Sequence, residues 1–373
     1  MKLDLSRAVS YHYDQFPPQN IDFNHFIEEL LEATSALAKY DQMLKGLHNS
    51  ELLLAPLRNQ EAILSSRMEG TISTMDEILK YTADENSEMH HQSHYRSDVI
   101  ETILYQRALR NAQYAITDGY ELSGSMIKSI HQQLLSIGRG AKKSPGKFKT
   151  EQNYLADRNK NSVLFIPISP EKLQDGIDLL FDYIENHQHP LLIKTAVMHL
   201  EFEALHPFQD GNGRIGRMLI TLLLWSKGLI SQPHFYISAF LEENKDSYID
   251  SMRAVSQSGD WNNWCAFFLK AVAAQAHKNL EVAESIQSLY EEMKLVFSEK
   301  LSSKWSVHAL DYLFTNPIFR NNNFTAKSGI PPATAQRFTR ILIEENIILT
   351  MEESSGRRPG LYSFEPLMEL VRV

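Results

Sequence analysis

The 373 residues are 43% hydrophobic and 22% charged, the make-up of an ordinary globular protein with room for two or three domains. A formal net charge of −9 excludes a chain that binds polyanions over its whole surface, although it leaves room for one basic patch. The single cysteine, Cys265, excludes an intrachain disulfide and suits a reducing compartment; its neighbours Trp261, Trp264, Phe267 and Phe268 mark it as core packing. The opening residues lack the apolar region of a signal peptide, and the run Met218–Trp225 is too short to span a membrane, so a cytoplasmic chain with no membrane partner is expected.

Residues 21–80 carry helical periodicity in Phe26, Ile27, Leu30, Leu31, Leu37, Met43 and Leu44. A polar stretch, Thr82 to Ser97, reads as a loop; its His90, His91 and His94 are read as solvated. Helical patterns resume over 99–116 and 123–135, the latter opening on cap-like serines. Residues 138–170 turn to glycine, proline and polar side chains around the extended piece Val163–Ile166, which predicts a β-hairpin or flap. Two helices follow up to Leu205, broken near His189-Pro190. After the glycine-rich stretch 206–217, helices continue past Asn279.

The last seventy-odd residues read as a separate unit. Asn323 to Glu345, with Pro331-Pro332 at the entry to its second helix, fits a helix–turn–helix. The strands Ile347–Met351 and Gly360–Phe364 around Ser354–Pro359 fit a hairpin, and the two together look like a winged helix. From Lys300 onward there are nine Lys/Arg against seven Asp/Glu, so this part is mildly basic, and Arg357-Arg358 at the wing tip are placed to touch DNA phosphates. A protein-contact role fits equally well. We expect three parts: 1–120 as a helical region, 121–280 as a catalytic domain and 295–373 as the winged helix.

The most informative residues are His206-Pro-Phe-Gln-Asp210-Gly-Asn-Gly-Arg214-Ile-Gly-Arg217, followed by the apolar helix former Met218–Trp225. Glycines let a backbone approach a ligand, and the free amides and macrodipole of a helix start favour an anion. Arg214 and Arg217 lie three apart and suit bidentate phosphate contacts. Asp210 is placed to hold Mg²⁺ on phosphates, and His206 to take a proton beside them. Gly211, Asn212, Gly213, Arg214, Ile215, Gly216 and Arg217 are thus the candidate phosphate-binding set, with His206 the candidate base.

This string matches the Fic family signature H-P-F-x-[DE]-G-N-G-R-x-x-R at every specified position. Upstream, Ser65-Ser-Arg-Met-Glu69-Gly70 resembles the family's inhibitory motif [ST]-x-x-x-E-[GN], with Ser65 and Glu69 four apart on one helix face and Gly70 ending the helix. The resemblance implies a mainly α Fic core with a hairpin flap, a helical amino-terminal region and a winged helix. It implies a protein adenylyltransferase that moves AMP from ATP, with Mg²⁺, to Ser, Thr or Tyr hydroxyls of target proteins and of itself, as a homodimer. His206 would be the base, Asp210 the metal ligand, Arg214 the β-phosphate partner and Arg217 the γ-phosphate partner. Glu69 would pair with Arg217 and hold the enzyme inhibited. The flap over Phe148–Pro167 would dock the target by strand pairing, and Tyr248 would close over adenine.

Two other readings stay open. His199, Glu201, Glu203 and His206 are clustered, but without the H-E-x-x-H spacing of a zinc hydrolase. The winged helix also fits a DNA-binding regulator whose Fic core senses nucleotide or removes AMP.

Overall fold

The computed structural model describes residues 4–46, 50–85, 95–156 and 162–372. His90, His91 and His94, and residues 157–161 of the flap, lie outside them. Apolar residues spaced three and four apart dominate the chain, and the described residues form fifteen α-helices and two small three-stranded sheets.

The amino-terminal region is α1 (Ile27–Gly46), α2 (Ser50–Met68), α3 (Met75–Glu85) and α4 (Ser97–Thr117). The helical stretch expected over 21–80 is therefore broken between α2 and α3. Gly70 takes a left-handed φ of 86° there, and Thr74 and Glu77 exchange the two bonds of a capping box at the start of α3.

The central part is α5 (Gly124–Leu134), α6 (Leu173–Asn186), α7 (Leu191–Leu205), α8 (Asn212–Ser226), α9 (Ser238–Glu243) and α10 (Lys245–Ser258). Ser123 caps α5 by accepting from the Met126 amide at 3.3 Å. From Leu192 to Leu205 every residue of α7 except Glu203 is buried, which makes it the core helix around which the others pack. Cys265 is buried as expected, and burial pushes its thiol up to about 12, so it is inert.

Between α5 and α6 lies the flap. Strand β2 (Leu155–Ala156) pairs antiparallel with β3 (Val163–Ile166). A strand not anticipated from the sequence, β1 (Val9–Ser10), adds parallel to the other edge of β3, with Val9 opposite Phe165. Two residues carry no readable alternation, so only the tertiary fold reveals it.

Helix α11 (Trp261–Leu301) runs unbroken for 41 residues, so the expected boundary at 280–295 is continuous helix. It is capped at Asp260, packs along α1 and α7, and leads into the last unit. That unit is α12 (Ser306–Thr315), β4 (Ile318–Arg320), α13 (Asn321–Lys327), α14 (Pro332–Glu344), β5 (Leu349–Glu352), β6 (Leu361–Ser363) and α15 (Glu365–Val371), with sheet order β4-β6-β5. The hairpin around 354–359 forms antiparallel as expected.

The last unit is seated on α2 and α3. Buried Arg320 reaches Asp84 at 2.7 Å and Glu352 at 2.7 Å, while Asn323 donates to the Ala83 carbonyl and Gln60 to that of Val371. Arg358, a candidate for phosphate contact, pairs with Glu352 at 3.1 Å while its side chain stays 55% exposed.

Candidate active site

Helices α7 and α8 are joined by the five residues 206–210 and the cap Gly211. Helix α7 ends at His206 in a left-handed conformation (φ 45°, ψ 61°), and α8 begins from Gly211, also left-handed at φ 81°. A non-glycine residue there is strained and needs support. The support is specific. The Asn212 side chain accepts from the Phe208 amide at 2.9 Å and donates to its carbonyl at 2.8 Å, closing the loop. Asn153, from the base of the flap, donates to the carbonyls of both His206 and Phe208 at 3.0 Å. Lys149 donates from Nζ to the Leu205 carbonyl and to Asn153 Oδ1, and from its amide to the Pro207 carbonyl. His131 stacks on Phe208 with centroids 3.8 Å apart and lies 3.1 Å from the Asp210 carbonyl.

The first-turn amides of α8 lack intrahelical acceptors, as at any helix start, and among the described residues no side chain caps them. The missing side chain of Gly213 is filled by Glu69: a Cβ there would collide with Glu69 Oε1. A Cβ at Gly216 would likewise collide with Glu203 Oε1. In both cases the carboxylate end of a flexible glutamate takes up the space that the missing Cβ leaves. Ile215 points into the core, completely buried.

The two arginines differ. Arg217 is buried and satisfied: Nε donates to Ser65 Oγ at 2.9 Å, while Nη2 donates to the Ser65 carbonyl at 2.8 Å and to Glu69 Oε1 at 2.8 Å. Arg214 is equally buried, yet its Nε and Nη1 have no hydrogen-bond partner among the described residues; its nearest carboxylates are Asp210 at 3.5 Å and Glu101 at 3.9 Å. A buried guanidinium with two unpartnered donors at a helix start is built for a multiply charged oxyanion. Glu69 itself sits just past the end of α2, in a turn rather than on the helix face. Burial raises its carboxyl, but Arg217, and then Arg214 and Lys245, outweigh this and hold it below its ordinary value.

Burial and the charge of Lys149 push His206 down to about 4, so its imidazole is neutral at pH 7. Burial pushes Lys149 down to about 7 and Glu203 up to about 8, the latter helped by the Glu69 charge. Asp210 keeps its side chain 39% exposed, facing the same end of α8. It meets the needs of Mg²⁺, which takes one or two carboxylates and completes its shell with phosphate and water oxygens.

Tyr248 is placed otherwise than expected. It is 4% exposed, its hydroxyl lies 2.7 Å from His199 Nε2, and its ring packs on Trp264 and Phe267, so it is a core residue with no open face for a base to stack on. His199, Glu201, Glu203 and His206 do not converge: His199 faces the Gly216 carbonyl and Tyr248, while Glu201 faces Tyr11 and His12. The described residues contain no group of three or more His, Cys, Asp or Glu that could hold a metal. None of the described helices is long and apolar enough to cross a membrane. Sequence reasoning missed Lys149, Asn153 and His131, which act on main-chain carbonyls distant in sequence and carry no motif.

Two family models match the chain. The Fic/DOC family N-terminal model covers residues 27–114 and the Fic/DOC family model covers 121–224, together more than half of the chain. A probable protein adenylyltransferase of Aquifex aeolicus (strain VF5) is 25% identical over 216 residues, 56% of this chain and 58% of that protein. The protein adenylyltransferase fic-1 of Caenorhabditis briggsae is 31% identical over 134 residues, 34% of this chain and 24% of that protein. The chain thus spans less than two thirds of the length of these relatives. Among solved structures, a Fic family protein from Desulfovibrio desulfuricans G20 aligns at TM-score 0.58 with 16% identity, covering 93% of this chain and 98% of that one. Fic-1 from Caenorhabditis elegans aligns at 0.54 with 18% identity, covering 70% and 74%. At such identities the likeness to solved structures is one of fold.

Proposed function

The chain belongs to the Fic/DOC family, and from that premise we propose that it transfers AMP from ATP to hydroxyl groups of proteins, itself included, under restraint by Glu69. The observation that carries this is the start of α8, where Arg214 offers two buried donors with no hydrogen-bond partner among the described residues, the loop leading in carries the neutral imidazole of His206, and a carboxylate already fills the place next to Gly213 and Arg217. Relatives named protein adenylyltransferase support the chemistry.

In this reading the first-turn amides of α8 and Asn212 face the α-phosphate, Arg214 binds the β-phosphate and Arg217 the γ-phosphate. Asp210 would hold Mg²⁺, which neutralises phosphate charge when bound. A target segment adds to the flap and presents Ser, Thr or Tyr to His206. The imidazole takes the hydroxyl proton, the oxygen bonds to the α-phosphorus, and diphosphate leaves with the electrons of the broken P–O bond. Tyr248 has no direct part. We read the last unit as a winged helix, on the order of its helices and hairpin; α14 is its candidate DNA-reading helix, with Arg340 exposed. Homodimerisation and a cytoplasmic location complete the proposal.

Two labels test it. ATP labelled at the α-phosphate should leave label on protein, whereas γ-labelled ATP should leave none. Label retained from the γ position would replace AMP transfer with phosphorylation.

Asn153 gives a finer expectation. Asn153→Ala strips the donor from the carbonyls of His206 and Phe208 and loosens a strained base, so kcat should fall roughly 10- to 100-fold while ATP affinity holds. A change in KM alone would make Asn153 a binding residue.

A further inference from the structure

A second cluster of reactive side chains lies on the other side of α7. Glu201 and Glu203 are two residues apart on that helix, about 200° around it, so they face opposite ways. Glu203 faces the phosphate site, and Glu201, completely buried, faces the segment leading on from β1. There Glu201 Oε1 accepts from the Tyr11 hydroxyl at 2.6 Å, and Oε2 lies 2.8 Å from His12 Nε2. The other ring nitrogen of His12, Nδ1, lies 2.7 Å from Ser256 Oγ on α10.

The contacts accommodate the tautomer in which His12 Nε2 carries its hydrogen toward the Glu201 carboxylate. In that tautomer Nδ1 holds the lone pair, and the Ser256 hydroxyl donates to it. Serine, imidazole and buried carboxylate thus stand in the order that activates a serine oxygen, with the two ring nitrogens exchanged relative to the familiar triad.

This relay opens on a pocket of about 620 Å³ lined by Arg7, Ser10, His12, Arg253, Ser256 and Gln257, a size suited to a small molecule. Arg253 lies three residues before Ser256 on the same face of α10. Its Nε is buried with no hydrogen-bond partner among the described residues, its Nη1 is 3.5 Å from Asp250 and its Nη2 is 3.4 Å from the Arg7 carbonyl. A merely structural tie between the first residues and α10 would need neither the pocket nor an unpartnered guanidinium nitrogen beside the hydroxyl.

We infer that Ser256 is a second nucleophile, independent of the AMP-transfer site, and that its pocket takes a small carboxylic ester bearing a negative charge. Ser256 Oγ bonds to the carbonyl carbon as its proton passes to His12 Nδ1, and the carbonyl electron pair moves onto oxygen beside Arg253. Collapse breaks the ester C–O bond, and the departing alkoxide takes the proton from Nδ1 and leaves as alcohol. Water then attacks the acyl-serine by the same route, releasing the acid and restoring Ser256.

The test uses the native full chain and a tagged fluorophosphonate, in which the serine oxygen displaces fluoride from phosphorus. Peptide mass spectrometry should place the adduct on Ser256, and Ser256→Ala should lose it while leaving AMP transfer unchanged. His12→Gln, checked by circular dichroism for an intact fold, should slow labelling roughly 10²- to 10⁴-fold, the usual contribution of a general base. With p-nitrophenyl acetate the native chain should release nitrophenol faster than the Ser256→Ala variant. No adduct on native Ser256, an adduct that forms equally fast on heat-unfolded protein, or labelling indifferent to His12→Gln would each overturn the inference.

Discussion

Glu69→Gly should raise AMP transfer to protein roughly 5- to 150-fold, the span of a typical coupling between two states of one site. The expectation comes from what the substitution leaves behind. Arg217 loses one of its three bonds, that to Glu69 Oε1, but keeps Nε to Ser65 Oγ and Nη2 to the Ser65 carbonyl. The guanidinium thus stays aimed at the start of α8 while the competing carboxylate is gone. The Glu69 side chain is 35% exposed and lies beyond the last residue of α2, so its loss opens no core cavity.

A second variant separates charge from bulk. Glu69→Gln keeps the volume against Gly213 but removes the repulsion of a phosphate, so it should activate less than glycine if bulk matters and equally if charge alone does. Ser65→Ala in the Glu69→Gly background should then weaken ATP binding, because it removes the Nε bond of Arg217 and leaves only the bond to the Ser65 carbonyl to aim the guanidinium. Initial rates of labelling, measured with ATP and magnesium in excess, decide this. Should Glu69→Gly leave the rate at its starting value while His206→Ala abolishes it, Glu69 is a structural partner of Arg217 and inhibits nothing.

What could be read in advance, and what could not, follows from how each residue acts. His206, Asp210, Arg214 and Arg217 were legible because their chemistry is contiguous: one loop and one helical turn hold base, carboxylate and guanidinium groups. Their approach to Glu69 was legible only through the resemblance, since 148 residues separate Glu69 from Arg217. Lys149 and Asn153 were silent because they act on carbonyls some fifty residues away, and any polar side chain in a flap looks alike in sequence. Tyr248 misled for the opposite reason. An aromatic residue on a helix advertises a surface, but its spacing does not say whether core or ligand covers it, and here His199, Trp264 and Phe267 do. The continuity of α11 through residues 280–295 could have been seen, as that stretch has no glycine or proline.

His206→Ala, built into the Glu69→Gly variant, should lower AMP transfer by roughly 10²- to 10⁴-fold and leave ATP binding nearly intact, because the imidazole moves a proton and holds no phosphate. The pH profile gives the stricter test. Burial and Lys149 place His206 at about 4, so the neutral, proton-accepting form prevails from pH 5 upward. As pH falls, kcat/KM should stay level through 6.5, where an ordinary histidine would fail, and decline only toward 4. Glu69 favours the charged ring, so its removal should move that acid limb lower still. Replacing Lys149 by methionine removes a repelling cation and should move the limb upward. Bound triphosphate adds negative charge beside the ring, so the limb for kcat should lie above that for kcat/KM, which reports the free enzyme. An acid limb near 6.5 in kcat/KM, unmoved by Lys149→Met, would mean that the proton acceptor is a solvated group and that the buried imidazole serves only to hold the loop.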